Sequence, residues 1–120
     1  MATVEITADT IEQTIEEGGI VLLDFWASWC GPCRQFGPTF EKVSEDYPEI
    51  VFGKINTEQE QSLAASFGIN SIPTIMAFRD GIGIFNQPGA LPEASLRELI
   101  QQIEALDMND VRKQIEEAQK

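Results

Sequence analysis

The sequence predicts an α/β fold, a central mixed β-sheet flanked by helices on both faces, and three observations predict it. Residues 20 to 26 are apolar on both alternating faces, with Ile20, Leu22 and Trp26 on one and Val21, Leu23 and Phe25 on the other. That pattern suits a central strand covered on both sides. Cys33, Phe36, Phe40, Val43 and Tyr47 then recur at spacings of three and four, an amphipathic helix stripe. Two later apolar runs, Thr74 to Phe78 and Ile82 to Phe85, flank Arg79-Asp80-Gly81, and Asp-Gly between such runs is a strong hairpin signal. Strands joined through a helix run parallel with a right-handed crossover, so the hairpin supplies the antiparallel part.

The elements follow in order after an optional first strand. Asp9-Thr10-Ile11-Glu12 reads as a capping box opening a helix, with Ile11 and Ile15 inward and Gly18-Gly19 ending it. The central strand and the Cys33-to-Tyr47 helix come next; Pro32 suits that helix's first position, and Pro38 inside it is expected to kink it. A short strand covers Ile50 to Ile55. Thr57-Glu58-Gln59-Glu60 offers another capping box, before a helix with Leu63, Ala64 and Phe67 inward and Gly68 as its stop. The hairpin follows, and a last helix starting near Pro92 buries Leu96, Leu99, Ile100 and Ile103. Past Leu106, Asn109 or Asp110 is expected to cap a further amphipathic turn or two, with Val111, Ile115 and Ala118 on one face. This tail reads either as a solvated, fraying extension or as a partner-docking helix.

Composition narrows the chemistry. The 120 residues fit one domain, and eight Lys+Arg against twenty Asp+Glu leave a formal charge of -12. Such a field repels nucleic-acid phosphates and anionic lipid, so neither is an expected partner. The chain has no histidine, which removes imidazole bases, Cys-His pairs and imidazole metal ligands. The start, Met-Ala-Thr-Val-Glu-Ile, lacks a basic segment followed by an apolar one, so no signal peptide is expected. The longest apolar run, Ile20 to Leu23, is too short to span a bilayer. A soluble, cytoplasmic protein with thiols in a reducing compartment is the expectation.

The two cysteines, Cys30 and Cys33, sit in Trp26-Ala27-Ser28-Trp29-Cys30-Gly31-Pro32-Cys33, between the buried strand and the helix. A bare C-x-x-C is ambiguous between half a zinc site and a redox pair. Two thiolates without histidine fall short of four zinc ligands, and a bond closing so small a loop is a poor structural staple. Cys30 stands at the amino end of a helix, where unpaired N–H groups and the dipole stabilise a thiolate. Cys33 lies one turn in and deeper, so Cys30 attacks and Cys33 resolves.

Asp24 shares a strand face with Leu22 and Trp26. Either the strand end tips it into water, or its carboxylate is buried with a raised pKa and exchanges a proton with the Cys33 thiol. Lys54, near the end of the neighbouring strand, either pairs with Asp24 and moderates that shift or is a solvated strand-end lysine. Nothing local in Ser71-Ile72-Pro73-Thr74 departs from an ordinary trans proline.

Together with Asp24-Phe25-Trp26-Ala27, Pro38, Lys54, Ile72-Pro73-Thr74, Arg79-Asp80-Gly81 and Gly89-Ala90-Leu91, the cysteine octet resembles the thioredoxin family over about residues 3 to 106. The resemblance implies a thioredoxin-like fold for a domain spanning 1–106, with 107–120 a helical extension of it. It implies a cis bond before Pro73, and a client-docking apolar patch of Trp29, Gly31, Pro32, Ile72, Pro73, Gly89 and Ala90. Gly-Pro between the cysteines is the family's reducing variant. The implied activity is reduction of protein disulfides, with recharging by a thioredoxin reductase, an NADPH-dependent flavoprotein. The chain itself shows neither a G-x-G-x-x-G nor a phosphate loop, so no cofactor is expected. No extra apolar stripe demands a dimer, so a monomer is expected. Ser71 and Pro88 depart from common family residues at the docking rim, and Arg34 replaces the frequent lysine after the second cysteine, a surface change that keeps the charge. The alternatives are a non-catalytic binding module on the same fold and a dedicated oxidant or isomerase.

Overall fold

A strand that is apolar on both faces needs two helical layers to cover it, and the architecture follows from that need. The computed structural model describes residues 2–119. The strands are β1 (Thr3–Glu5), β2 (Ile20–Trp26), β3 (Val51–Asn56), β4 (Thr74–Arg79) and β5 (Ile82–Pro88). The helices are α1 (Ile11–Glu16), α2 (Gly31–Ser44), α3 (Gln61–Ser66), α4 (Glu93–Ala105) and α5 (Met108–Ala118). The sheet order is β1-β3-β2-β4-β5, with β1 and β2 parallel to β3, and β4 antiparallel to both β2 and β5.

β2 is the central strand, as its pattern predicts. Leu22 joins Phe36, Phe40, Phe52 and Ile100 in the core beneath α2 and α4. Val21, Leu23 and Phe25 join Ile11, Leu63 and Phe78 in the core on the other face. Phe40 meets the Phe52 ring edge-on at 5.1 Å between centroids, locking α2 onto β3. Gly53 is where β3 passes closest to its neighbours: a Cβ there would lie 2.6 Å from Ile6 Cγ1. The hairpin turns through Asp80 and Gly81, both at positive φ (56° and 81°), as a two-residue loop between right-twisted strands requires.

Both capping boxes are corrected. α1 begins after Thr10, with no side-chain cap, and the Thr10 hydroxyl instead accepts from Thr7 N–H at 3.0 Å. α3 begins after Glu60, again with no side-chain cap. The Thr57, Glu58 and Glu60 side chains are engaged elsewhere: Thr57 Oγ1 donates to Trp26 O, Glu58 accepts from Ser28, and Glu60 accepts from Ala8 N–H. At α3 long-range partners outcompeted the local ones, whereas at α1 Thr10 turns back to a residue three positions earlier.

In α2 the stripe is buried from Cys33 to Val43, but Tyr47 lies past the helix end. Gly31 opens the helix with Pro32 second, and Pro38 sits inside without dividing the element. α4 starts one residue after Pro92, with Leu96, Ile100 and Ile103 buried and Leu99 half-buried against them. Asp107, rather than Asn109 or Asp110, caps α5 by accepting from both of those N–H groups. The tail is anchored at its base: Met108 is buried, Arg112 reaches Asp80 at 3.7 Å, and Arg79 donates to the Ile103 and Leu106 carbonyls. The outermost residues of the expected domain division, Met1 and Lys120, lie outside the described residues. No helix among the described residues is long and apolar enough to cross a membrane.

Candidate active site

β2 ends at Trp26 and α2 begins at Gly31, so the four intervening residues cross from the sheet to a helix amino terminus. Cys30 is the N-cap of α2, with extended backbone, and its sulfur accepts the Cys33 N–H at 3.2 Å. A cap normally uses an oxygen of Ser, Thr, Asp or Asn in this position. Here a sulfur takes that place, so the helix's unpaired donors and dipole favour its charged form once the bond to Cys33 is broken. Cys30 and Cys33 form a disulfide. Both are 4% exposed, so burial does not separate them as the sequence argument expected; the cap does. The Cys30 sulfur also lies 3.7 Å from the Ile72 carbonyl oxygen.

Asp24 is fully buried (0% exposed), and neither carboxylate oxygen has a hydrogen-bond partner. Desolvation pushes its pKa up from 3.8 to about 7, against a downward pull from the Lys54 charge. The strand register sets Lys54 beside Asp24. No ion pair joins them: the Lys54 ammonium sits 5.0 Å from the centre of the Trp26 ring. Lys54 therefore moderates Asp24 through space, from over an aromatic face.

The bond between Ile72 and Pro73 is cis. Pro73 itself is buried, and its carbonyl accepts the Gly89 N–H at 2.7 Å, tying the two outer segments of the expected patch together. Trp29 is 69% exposed, Pro32, Gly89 and Ala90 are exposed, and Gly31 and Ile72 are half-buried. A groove of about 320 Å³ runs beside the disulfide, walled by Trp29, Thr57, Ala64, Ile69 and Ile72. Ile72 also packs on the Ala27, Cys30 and Cys33 cluster, so groove and dithiol share a wall.

Ser28 and Glu58 meet at the site without being among the site residues the sequence points to. The Glu58 carboxylate accepts from Ser28 N–H at 2.8 Å and Ser28 Oγ at 2.7 Å. Glu58 falls in a stretch that reads locally as a cap, and no short-range pattern reports a partner thirty residues away.

A dithiol at a helix cap, a buried acid titrating near neutrality and an apolar groove alongside define a thiol-disulfide oxidoreductase. The thioredoxin family profile matches residues 2–102. A Streptomyces coelicolor protein named as a thioredoxin 2 is 52% identical over 118 residues, covering 98% of this chain and 88% of the relative. Thioredoxin 1 of Synechococcus elongatus is 42% identical, covering 76% of this chain and 87% of its own. Among solved structures, spinach chloroplast thioredoxin f superposes with a TM-score of 0.79 at 30% identity, over 87% of this chain and 95% of that one. This chain belongs to the thioredoxin family and is a protein-disulfide reductase that exchanges electrons with a reductase and with disulfide-bonded client proteins.

Proposed function

We propose that Cys30 makes the first attack and Cys33 resolves. The Cys30 thiolate attacks one sulfur of a client disulfide, a Cys30–client disulfide forms, and the client's other sulfur leaves as a thiolate and takes a proton. The Cys33 thiol passes its proton to the Asp24 carboxylate, and the resulting thiolate attacks the Cys30 sulfur. The Cys30–Cys33 disulfide forms, the client's second sulfur leaves, and two electrons have moved to the client. The observation that carries this order is the cap: only the Cys30 sulfur accepts a helix N–H, from Cys33 itself. Asp24 supports the proton step because a carboxyl titrating near 7 both accepts and releases a proton at neutral pH.

Clients dock on Trp29, Gly31, Pro32, Ile72, Gly89 and Ala90, with buried Pro73 holding Ile72 and Gly89 in place. Lys54 tunes Asp24. The recharging partner is an NADPH-dependent flavoprotein thioredoxin reductase, the carrier is a cytoplasmic monomer, and residues 107–120 are an extension of the 1–106 domain. A reducing compartment suits a dithiol that must return to its reduced form to act again.

The test is dithiol-driven reduction of a model protein disulfide by the intact chain, Cys30→Ser and Cys33→Ser. Both variants are expected to lose turnover, and only Cys33→Ser to accumulate a mixed disulfide with the client. A trapped client on Cys30→Ser instead would reverse the assignment.

A further inference from the structure

The β3–α3 loop spends its side chains on the dithiol loop and leaves its own helix uncapped. Thr57 donates twice to the Trp26 carbonyl, from N–H at 2.8 Å and from Oγ1 at 3.0 Å, fixing the end of β2. One residue on, a single oxygen of Glu58 receives both Ser28 donors. Glu58 is steadied in turn, its N–H donating to Asn56 Oδ1 at 2.9 Å. We propose that Ser28 and Glu58 are positioning residues of the redox reaction, a clasp that keeps the Cys30 sulfur against the Cys33 N–H when the protein is in its dithiol form.

The proposal rests on Cys30 being the attacking sulfur. The two redox states differ in what holds Cys30. In the oxidised protein a covalent bond ties Cys30 to the helix, and the clasp is redundant. On reduction that tie is lost, and the 27–30 segment is held by the Arg34 N–H donating to the Cys30 carbonyl at 3.1 Å, by the Cys30 N–H to the Ala27 carbonyl and, before Trp29, by the bonds from the β3–α3 loop. Ser28 is the last anchor before Trp29 and Cys30. Its two bonds hold the Glu58 carboxyl below the usual range, so the acceptor stays ionised at neutral pH and the bonds are charge-assisted.

Removing Glu58 has two opposed effects on the Cys30 thiolate, and this makes the proposal testable by sign. Loss of a nearby negative charge lowers the thiol's titration midpoint, whereas loss of position raises it by separating the sulfur from the helix N–H. Glu58→Gln removes the charge and keeps an oxygen for both Ser28 donors. Glu58→Ala removes charge and acceptor together. Ser28→Ala removes one bond and no charge. Asp24 on β2, Lys54 on β3, Arg34, Glu41 and Lys42 on α2 and Glu60 in the β3–α3 loop are unchanged in all three.

The experiment is the rate of Cys30 alkylation by iodoacetamide against pH in the reduced full chain and the three variants, with the modified residue identified by mass spectrometry. The unaltered chain tests the underlying reading separately: a Cys30 midpoint near that of a free thiol would remove Cys30's role whatever the variants do. The clasp predicts Glu58→Ala above Glu58→Gln, and Ser28→Ala above the unaltered chain. Each gap is expected at about half a pH unit, or about threefold slower alkylation at neutral pH. Coincident Glu58→Ala and Glu58→Gln curves, as a pure charge effect requires, overturn it. So does a Ser28→Ala curve lying on that of the unaltered chain.

Discussion

Replacing Asp24 with Asn should make the protein more stable, by an amount that depends on pH. The carboxyl is moved from 3.8 to about 7 by burial, despite Lys54 alongside. In the unfolded chain it ionises near its ordinary value. Between the two, the folded state holds a proton that the unfolded state has released, so stability falls as pH rises through that window. Below it both states are protonated and Asp24 contributes no pH dependence; above it the loss is complete. At ~1.4 kcal/mol per pH unit, the full loss amounts to about 4 kcal/mol. Asn keeps the shape and replaces one uncharged, unpartnered group with another. The variant should therefore match the unaltered protein near pH 4 and exceed it by about 4 kcal/mol at pH 8, which is on the order of 10 °C in melting temperature. The assay is urea unfolding of both oxidised proteins at a series of pH values, read as the difference between them. A difference that does not change with pH would refute the reasoning, because it would mean the folded-state carboxyl titrates where the unfolded one does.

The same variant should slow resolution of the mixed disulfide at neutral pH more than the first attack, measured by rapid mixing with a chromogenic disulfide; equal slowing of both steps would remove Asp24 from proton transfer. Gly53→Ala should destabilise by about 1–3 kcal/mol, since the new methyl collides with Ile6 between β1 and β3. An unchanged urea midpoint would show that β1 shifts at no cost. Asp107→Ala should lose about 1 kcal/mol locally by leaving the Asn109 and Asp110 N–H groups uncapped, read as faster hydrogen exchange in the first turn of α5. Unchanged exchange there would show the helix is held by Met108 and Arg112 alone.

The parts of the fold legible in the sequence were those with a strong local period. The double-sided apolar run at Ile20–Trp26, the Asp80-Gly81 turn and the α2 stripe from Cys33 to Val43 each have one short-range explanation, and each is found where expected. The cysteine pair was legible for the same reason, since cap position and dithiol chemistry both follow from four consecutive residues. The caps of α1 and α3 were misread because Asp9 to Glu12 and Thr57 to Glu60 carry the right residue types for a local bond. The side chains of the second stretch have better partners far away in sequence, such as Trp26 O and Ser28, and Thr10 in the first turns back to Thr7. Lys54 shows a related gap. Adjacent register suggests an ion pair with Asp24, but the Trp26 ring lies where the ammonium settles. Periodicity reports faces; it does not report which of several competing polar partners wins.

The antiparallel run of β4 separates two ends of the molecule. Thr74, next to the cis bond, lies at one pole, and Arg79 and Asp80 lie at the other, gripping the end of α4 and the base of α5. The base of α5 is therefore built onto the pole remote from the sulfurs, so a lesion in Arg79 or Asp80 would loosen that helix while leaving the electron-exchanging rim in place.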